Sequence, residues 1–207
     1  MTRIYLLRHG ATTANREVPY RLQGRGSDRP LDETGLRQAD AAGRVLASIK
    51  LNGLYSSPLL RALQTARSLG SHHGRIPIPI PGLIEGDIGR WEGLTWDEAA
   101  VRDPDHHARF MTNPGTVPYP DGESFLDVQR RASIAIAELA AAHRGETIAI
   151  VGHNILNRAY LSPLLGLPID RARGIRQSNC GINVIEVEPE GGSVLITLNS
   201  ALHLDGL

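Results

Sequence analysis

"LLRHGATTAN" (residues 6–15) and "IAIVGHN" (residues 148–154) share one pattern, and that pattern decides the fold. Each is an apolar run that stops abruptly on a histidine. Ile4 to Leu7 leads into Arg8, His9 and Gly10, and Ile148 to Val151 leads into Gly152, His153 and Asn154. A run with no polar alternation is what a strand covered on both faces requires. Stretches with helical spacing lie between the strand-like runs, and that alternation implies an α/β fold with a mostly parallel sheet. Ligands of such sheets bind beyond the carboxyl ends of the strands. If the two strands are neighbours, His9 and His153 face each other across one pocket.

The bulk numbers narrow the function. The chain has 207 residues, 41% of them hydrophobic and 21% charged, which suits one sizeable core. Lys plus Arg and Asp plus Glu both total 22, so no global field attracts nucleic acid or an anionic membrane. Any bound anion must be caught by a local cluster. The single cysteine, Cys180, cannot form an internal disulfide and fits a reducing, cytoplasmic setting. Ile4 to Leu7 is too short for a signal-peptide core, and no apolar stretch is long enough to span a bilayer.

Along the chain, residues 10–30 read as a loop. "DETGLRQADAAGRVLASI" (32–49) reads as a helix with Leu36, Ala39, Val45, Leu46 and Ile49 on its apolar face. "LNGLYSS" gives a second strand, and Pro58 opens the next helix. Ile76 to Ile80, with its two prolines, fits only an edge strand or an extended segment. A short helix spans Trp96 to Arg102, and "DPDHHARFMTNPGTVPYPDG" (103–122) reads as an aperiodic surface insertion. Asp121 is the expected N-cap of a helix over Glu123 to His143. A helix follows from Asn154 to Leu165, and "INVIEVE" and "SVLITL" are two final strands joined by a Gly-Gly turn.

Arg8 and Arg61, the latter one turn into the helix after strand two, can reach the pocket of the two histidines. Two arginines and two histidines make a compact cationic site whose natural guest is a phosphoryl group. Gln23 and Gly24 are placed to line it. Among the carboxylates, Glu85 stands apart because it lies in the irregular segment "LIEGDIGRWEG" rather than on a helix face. Adjacent side chains of the pairs His72-His73 and His106-His107 diverge, so no metal shell forms around them and they read as solvated, with His106-His107 in the insertion also able to touch substrate. Trp91 and Trp96 read as packing residues.

"LLRHGATTAN" resembles the signature of the histidine phosphatase superfamily, in its phosphoglycerate-mutase-like branch. The resemblance continues in the same order through "GRGSDRPLDETGLRQA", "SSPLLRALQTA", "LIEGDIGRWEGLT", "PDGES" and "IAIVGHN". It implies one domain over residues 1–207, a three-layer α/β/α fold with a mostly parallel central sheet, and an insertion at about 86–122 over the active site. It further implies that His9 is a nucleophile that takes up the phosphoryl group, with Arg8, Arg61, His153 and Asn15 binding its oxygens and Glu85 donating a proton. Asn154 departs from the glycine common at that position and alters the pocket's size.

These residue types suit metal-free phosphoryl transfer, so no cofactor is expected. Imidazole attacks at neutral pH without a separate base, and arginines balance the charge on the transferred oxygens. The expected function is a phosphatase for a small phosphorylated metabolite. The alternatives are a phosphoglycerate-type mutase and a phospho-ligand binding module without catalysis. Arg16, Arg21, Arg25, Arg29 and Tyr119 are candidates for contacting the leaving group, and the edge strands leave room for a homodimer.

Overall fold

The computed structural model describes residues 1–189 and 192–207. Among them a six-stranded sheet runs in the order β3-β2-β4-β1-β5-β6. Its strands are β1 (Thr2–Arg8), β2 (Gly53–Ser56), β3 (Ile78–Pro79), β4 (Thr147–Gly152), β5 (Ile182–Val187) and β6 (Ser193–Ser200). β3, β2, β4 and β1 are parallel, whereas β5 pairs antiparallel with β1 and β6 antiparallel with β5. β3, with its proline, lies at one edge of the sheet, as expected of a strand short of a backbone donor. Gly191 of the expected Gly-Gly turn lies outside the described residues.

The unbroken apolar runs are explained by helices on both faces. Ile4, Leu6, Ile148 and Ile150 enter one core with residues of α6 (Phe125–Ala142) and α7 (Asn154–Leu164). Tyr5, Leu7, Ala149 and Val151 point the other way, against α2 (Glu33–Leu46) and α3 (Leu60–Ser71). Side chains alternate across a strand, so each run must be apolar at every position to feed both layers. The register sets Leu7 opposite Val151 and Arg8 opposite Gly152, so the two strands run out side by side. No described helix is long and apolar enough to cross a membrane.

Several local expectations are corrected. The buried face of α2 is Gly35, Ala39, Ala42, Gly43 and Leu46, while Leu36 and Val45 are about half exposed. Small residues win because α3's end comes close: a Cβ on Gly43 would sit 2.4 Å from the His72 ring. Residues 10–30 contain a short helix, α1 (Thr13–Arg16), and Pro58 lies just ahead of α3, whose N-cap is Leu59. Trp96–Arg102 forms α4 as expected. Residues 103–122 are not aperiodic throughout, because Pro104–Thr112 forms α5 with the proline in its first turn. The fully buried Phe110 pins that helix to Trp91, Trp96 and Tyr119, with ring centroids 4.4–6.1 Å away. Ser124, not Asp121, caps α6: its hydroxyl accepts from Asp127 N–H, while the Asp127 carboxylate accepts from Ser124 N–H.

Candidate active site

The strand ends bring the two histidines together. His9 N–H donates to the Gly152 carbonyl at 3.1 Å, continuing the β1–β4 ladder, and the His9 and His153 ring centroids are 5.2 Å apart. Gly10 follows because the chain turns directly against α2. A Cβ on Gly10 would lie 2.5 Å from the Gly35 carbonyl oxygen, and one on Gly35 would lie 2.0 Å from that of Ala11. Only a glycine pair permits this main-chain contact.

His9 is held in one tautomer. Its Nδ1 lies 2.7 Å from the Gly10 carbonyl oxygen, which can only accept, so Nδ1 carries the proton and Nε2 keeps its lone pair in the neutral ring. Burial, then the charges of Arg61 and Arg8, hold His9 well below the ordinary imidazole range. His153 is held down likewise by burial, Arg61, His9 and Arg8. Both rings are therefore neutral at neutral pH. The unfolded chain takes up protons on these histidines below pH 6.5 while the folded one does not, so stability drops as pH falls through that value. The melting temperature of the ligand-free protein should decline from pH 7 to pH 5, and His153→Asn should flatten the decline. His73 and His203, also depressed by burial, act with the same sign and set what slope remains. A wild-type curve flat across that range would contradict the burial of neutral rings.

Arg8 donates from Nη1 to the Gln177 carbonyl at 2.8 Å. Gln177 is itself locked by side-chain hydrogen bonds: its Oε1 accepts from the Asn157 and Asn183 amides, and its Nε2 donates to Asn183 Oδ1. Arg61, on α3, is fully buried and donates to the Ser27 and Gly24 carbonyls at 2.5 and 3.0 Å. Neither guanidinium has a carboxylate partner among the described ion pairs. Nine buried side-chain polar atoms of the described residues have no hydrogen-bond partner, and six belong to this one cluster. They are Nε of Arg8 and Arg61, Nε2 of Gln23, both ring nitrogens of His153, and Oδ1 of Asn154. Unpaired buried polar groups are costly and rarely gather without a ligand to satisfy them.

Glu85 is buried and clamps the first turn of α7. Oε2 accepts from Asn154 and Ile155 N–H at 3.0 and 3.1 Å, and Oε1 from Leu156 and Gly86 N–H at 3.1 and 2.9 Å. A carboxylate satisfies there the donors that a helix start leaves open. Asn15 Oδ1 accepts from Thr12 N–H and from the Asn179 amide, which also holds the His9 carbonyl.

A cavity of about 520 Å³ opens over this cluster. Arg8, His9, Asn15, Gln23, Glu85 and Asn154 line it, while Arg61 and His153 lie beneath, fully buried. Gly24 is not in the lining. Its N–H donates to Glu92 and its carbonyl accepts from Arg61, so it brackets the arginine instead. Arg16 and Arg21 turn away to Asp32 and to Glu17 and Glu98, and Arg25 to Asp87; Arg29 is exposed, outside this lining. Tyr119 lines the cavity and Trp91 is core, whereas Trp96 serves both. His106 and His107 are not simply solvated, for both rings pack on Trp91. Among the described residues no three His, Cys, Asp or Glu side chains converge as a metal site. Burial pushes the Cys180 thiol up to about 12, which makes it a poor nucleophile. The sequence reading missed Tyr20, Arg158, Arg171 and Arg173 in the lining, and Gln177 and Asn179 behind it. Arg158 had a signal: it lies four residues after Asn154, on the same helix face.

A family profile described as histidine phosphatase superfamily (branch 1) matches residues 4–200. A bifunctional protein of Mycobacterium tuberculosis is 34% identical over 208 residues, covering 98% of this chain. The chain spans 55% of that relative's length. Phosphoserine phosphatase 1 of Hydrogenobacter thermophilus is 30% identical over 204 residues, 99% of this chain and 95% of the relative. Among solved structures, YhfR of Bacillus stearothermophilus superposes with a TM-score of 0.89 at 33% identity, covering 99% of this chain and all of that one. A mycobacterial glucosyl-3-phosphoglycerate phosphatase superposes at 0.84 with 28% identity, covering 96% and 99%.

Proposed function

The chain belongs to the histidine phosphatase superfamily, and on that premise we propose that it hydrolyses a small phosphomonoester through a phosphohistidine formed at His9. The observation that carries the reading is the gathering of unpartnered buried donors, Nε of Arg8 and Arg61, Nε2 of Gln23 and one ring N–H of His153, beside a neutral His9 whose Nε2 lone pair is free. In the first step Nε2 attacks phosphorus in line and the bond to the leaving oxygen breaks. Glu85 passes its proton to that oxygen. Arg8, Arg61 and His153 hold the transferred oxygens, with Gln23 Nε2 and Asn15 at the rim. In the second step Glu85 removes a proton from water, the water oxygen attacks phosphorus, and the P–N bond breaks to restore His9. To carry its proton, Glu85 must release one of the N–H contacts of α7.

Hydrolysis is favoured over mutase chemistry because the cavity opens to solvent past the exposed Tyr20, Arg171 and Gly174, which lets water reach the intermediate. The names of the phosphoserine and glucosyl-3-phosphoglycerate phosphatases support a small phosphorylated substrate. A reducing, cytoplasmic setting suits the lone buried cysteine.

The test is product analysis with 3-phosphoglycerate and a catalytic trace of 2,3-bisphosphoglycerate, alongside a panel of other phosphomonoesters. Inorganic phosphate should appear, undiminished by EDTA and suppressed by vanadate, which mimics the pentacoordinate state. Formation of 2-phosphoglycerate without free phosphate would replace hydrolysis with mutase chemistry. Silence across the panel would remove both.

A further inference from the structure

Two hydrogen bonds connect the phosphoryl cluster to a carboxylate outside the cavity lining. Arg61 donates from Nη2 to the Gly24 carbonyl at 3.0 Å, and Gly24 N–H donates to Glu92 Oε1 at 2.8 Å. Gly26 N–H also reaches Glu92, at Oε2, 3.3 Å away. Glu92 has no salt bridge among the described residues, so its carboxylate is directed at this stretch of backbone.

The orientation of Arg61 depends on that stretch. Residues 24–28 fold across the guanidinium: Nη1 donates to the Ser27 carbonyl at 2.5 Å and Nη2 to that of Gly24, while Nε has no protein partner. A guanidinium is planar, so carbonyls on both Nη groups fix the direction of Nε. Asp28 ties one end of the loop to α3, where its Oδ1 accepts from Leu60 N–H at 2.5 Å. Arg25 N–H donates to the Gly86 carbonyl at 3.0 Å. The N–H groups of Gly24 and Gly26 are held by Glu92.

Glu92 is itself firmly seated. Leu22 N–H donates to the Leu94 carbonyl at 2.8 Å and Gly93 N–H to the Leu22 carbonyl at 2.9 Å, which joins the two segments beside it. Trp91, the residue before it, is fully buried. The approach is too close for a side chain, since a Cβ on Gly24 would lie 2.7 Å from the Gly86 carbonyl oxygen and 2.9 Å from Glu92 Oε2. Geometry outweighs charge here. Burial works against the Arg61 cation, and Glu85 and Asp28 favour that cation more strongly than Glu92 does.

We propose that Glu92 is a positioning residue for Arg61, holding the 24–28 loop so that the guanidinium presents Nε to the transferred group. The proposal rests on the phosphatase reading only for the identity of that group, and anion binding tests it without turnover.

The experiment is calorimetric titration with inorganic phosphate of the wild-type protein and of variants arranged as two double-mutant cycles. Glu92→Gln, nearly isosteric, keeps one acceptor and loses the other, and should weaken phosphate binding about ten-fold. In an Arg61→Gln background it should cost no more than about two-fold, because the group it aims is gone; in an Arg8→Gln background the effect should stay at about ten-fold. Glu92→Asp, a carboxylate one methylene shorter, should recover part of the affinity. Should Arg61→Gln fail to fold, Arg61→Lys takes its place: an ammonium has no planar fork to aim, so Glu92→Gln should again cost no more than about two-fold. Unchanged affinity in Glu92→Gln, equal losses in the two backgrounds, or no binding of phosphate by the wild-type protein would overturn the positioning role. Coupling of Glu92 to Arg61 in a wild-type protein that hydrolyses no phosphomonoester would instead sink the phosphatase reading and leave this role standing.

Discussion

His9→Ala should lose turnover by a factor on the order of 10⁴ while keeping a cooperative melting transition. The size follows from the site's economy. Arg8, Arg61 and His153 would still bind a phosphoryl group after the substitution, but nothing else in the cavity can attack it. Cys180 is buried and its thiol held up to about 12, and neither arginine is a nucleophile. The fold should tolerate the change because β1 is anchored by its ladder to β4 and by the close approach of Gly10 to Gly35. Rapid quenching of wild-type enzyme with labelled substrate should trap the phosphoryl group on His9 as an acid-labile, alkali-stable adduct. Label recovered on serine or cysteine, or a variant that turns over normally, would remove His9 from the mechanism.

Glu85→Gln should show a loss that depends on the leaving group. For an alkyl phosphate, whose alkoxide needs a proton, the drop should be about 10²–10³-fold. For p-nitrophenyl phosphate, whose phenolate departs without help, it should stay within about ten-fold. A purely structural role predicts equal losses for both esters, which makes the ratio the decisive reading. Some structural cost is expected too. An amide can offer only its oxygen to α7, so donors now held by the second carboxylate oxygen lose their partner, at roughly 1–3 kcal/mol. The melting temperature should fall accordingly, without erasing the difference between esters.

How far the sequence could be read depended on what each residue had to satisfy. Ile4 to Leu7 and Ile148 to Val151 must serve two helix layers at once, and that requirement is written into every position. The histidines that end those strands were legible for the same reason. α5 was not, because its nine residues, Pro104–Thr112, carry just one fully buried side chain, Phe110, too little for a period. The face of α2 was misread because a close helix contact selects Ala and Gly over the larger Leu36 and Val45. Glu85 stood out in an irregular segment, yet its grip on α7 depends on contacts 69–71 residues away. Gly24, expected in the lining with Gln23, instead spends its backbone on Arg61 and Glu92, a role that only the folded contacts reveal.

The aromatic cluster of Trp91, Trp96, Phe110 and Tyr119 gives the far wall of the cleft its own internal support. On the proposed function, the strand tips would carry the reaction while this braced wall would meet the leaving group. On that reading, exchanging rim side chains on this wall should change substrate range more than it changes the reacting centre. Hollowing out the ring cluster beneath would tilt the wall as a unit and blur discrimination before chemistry suffers.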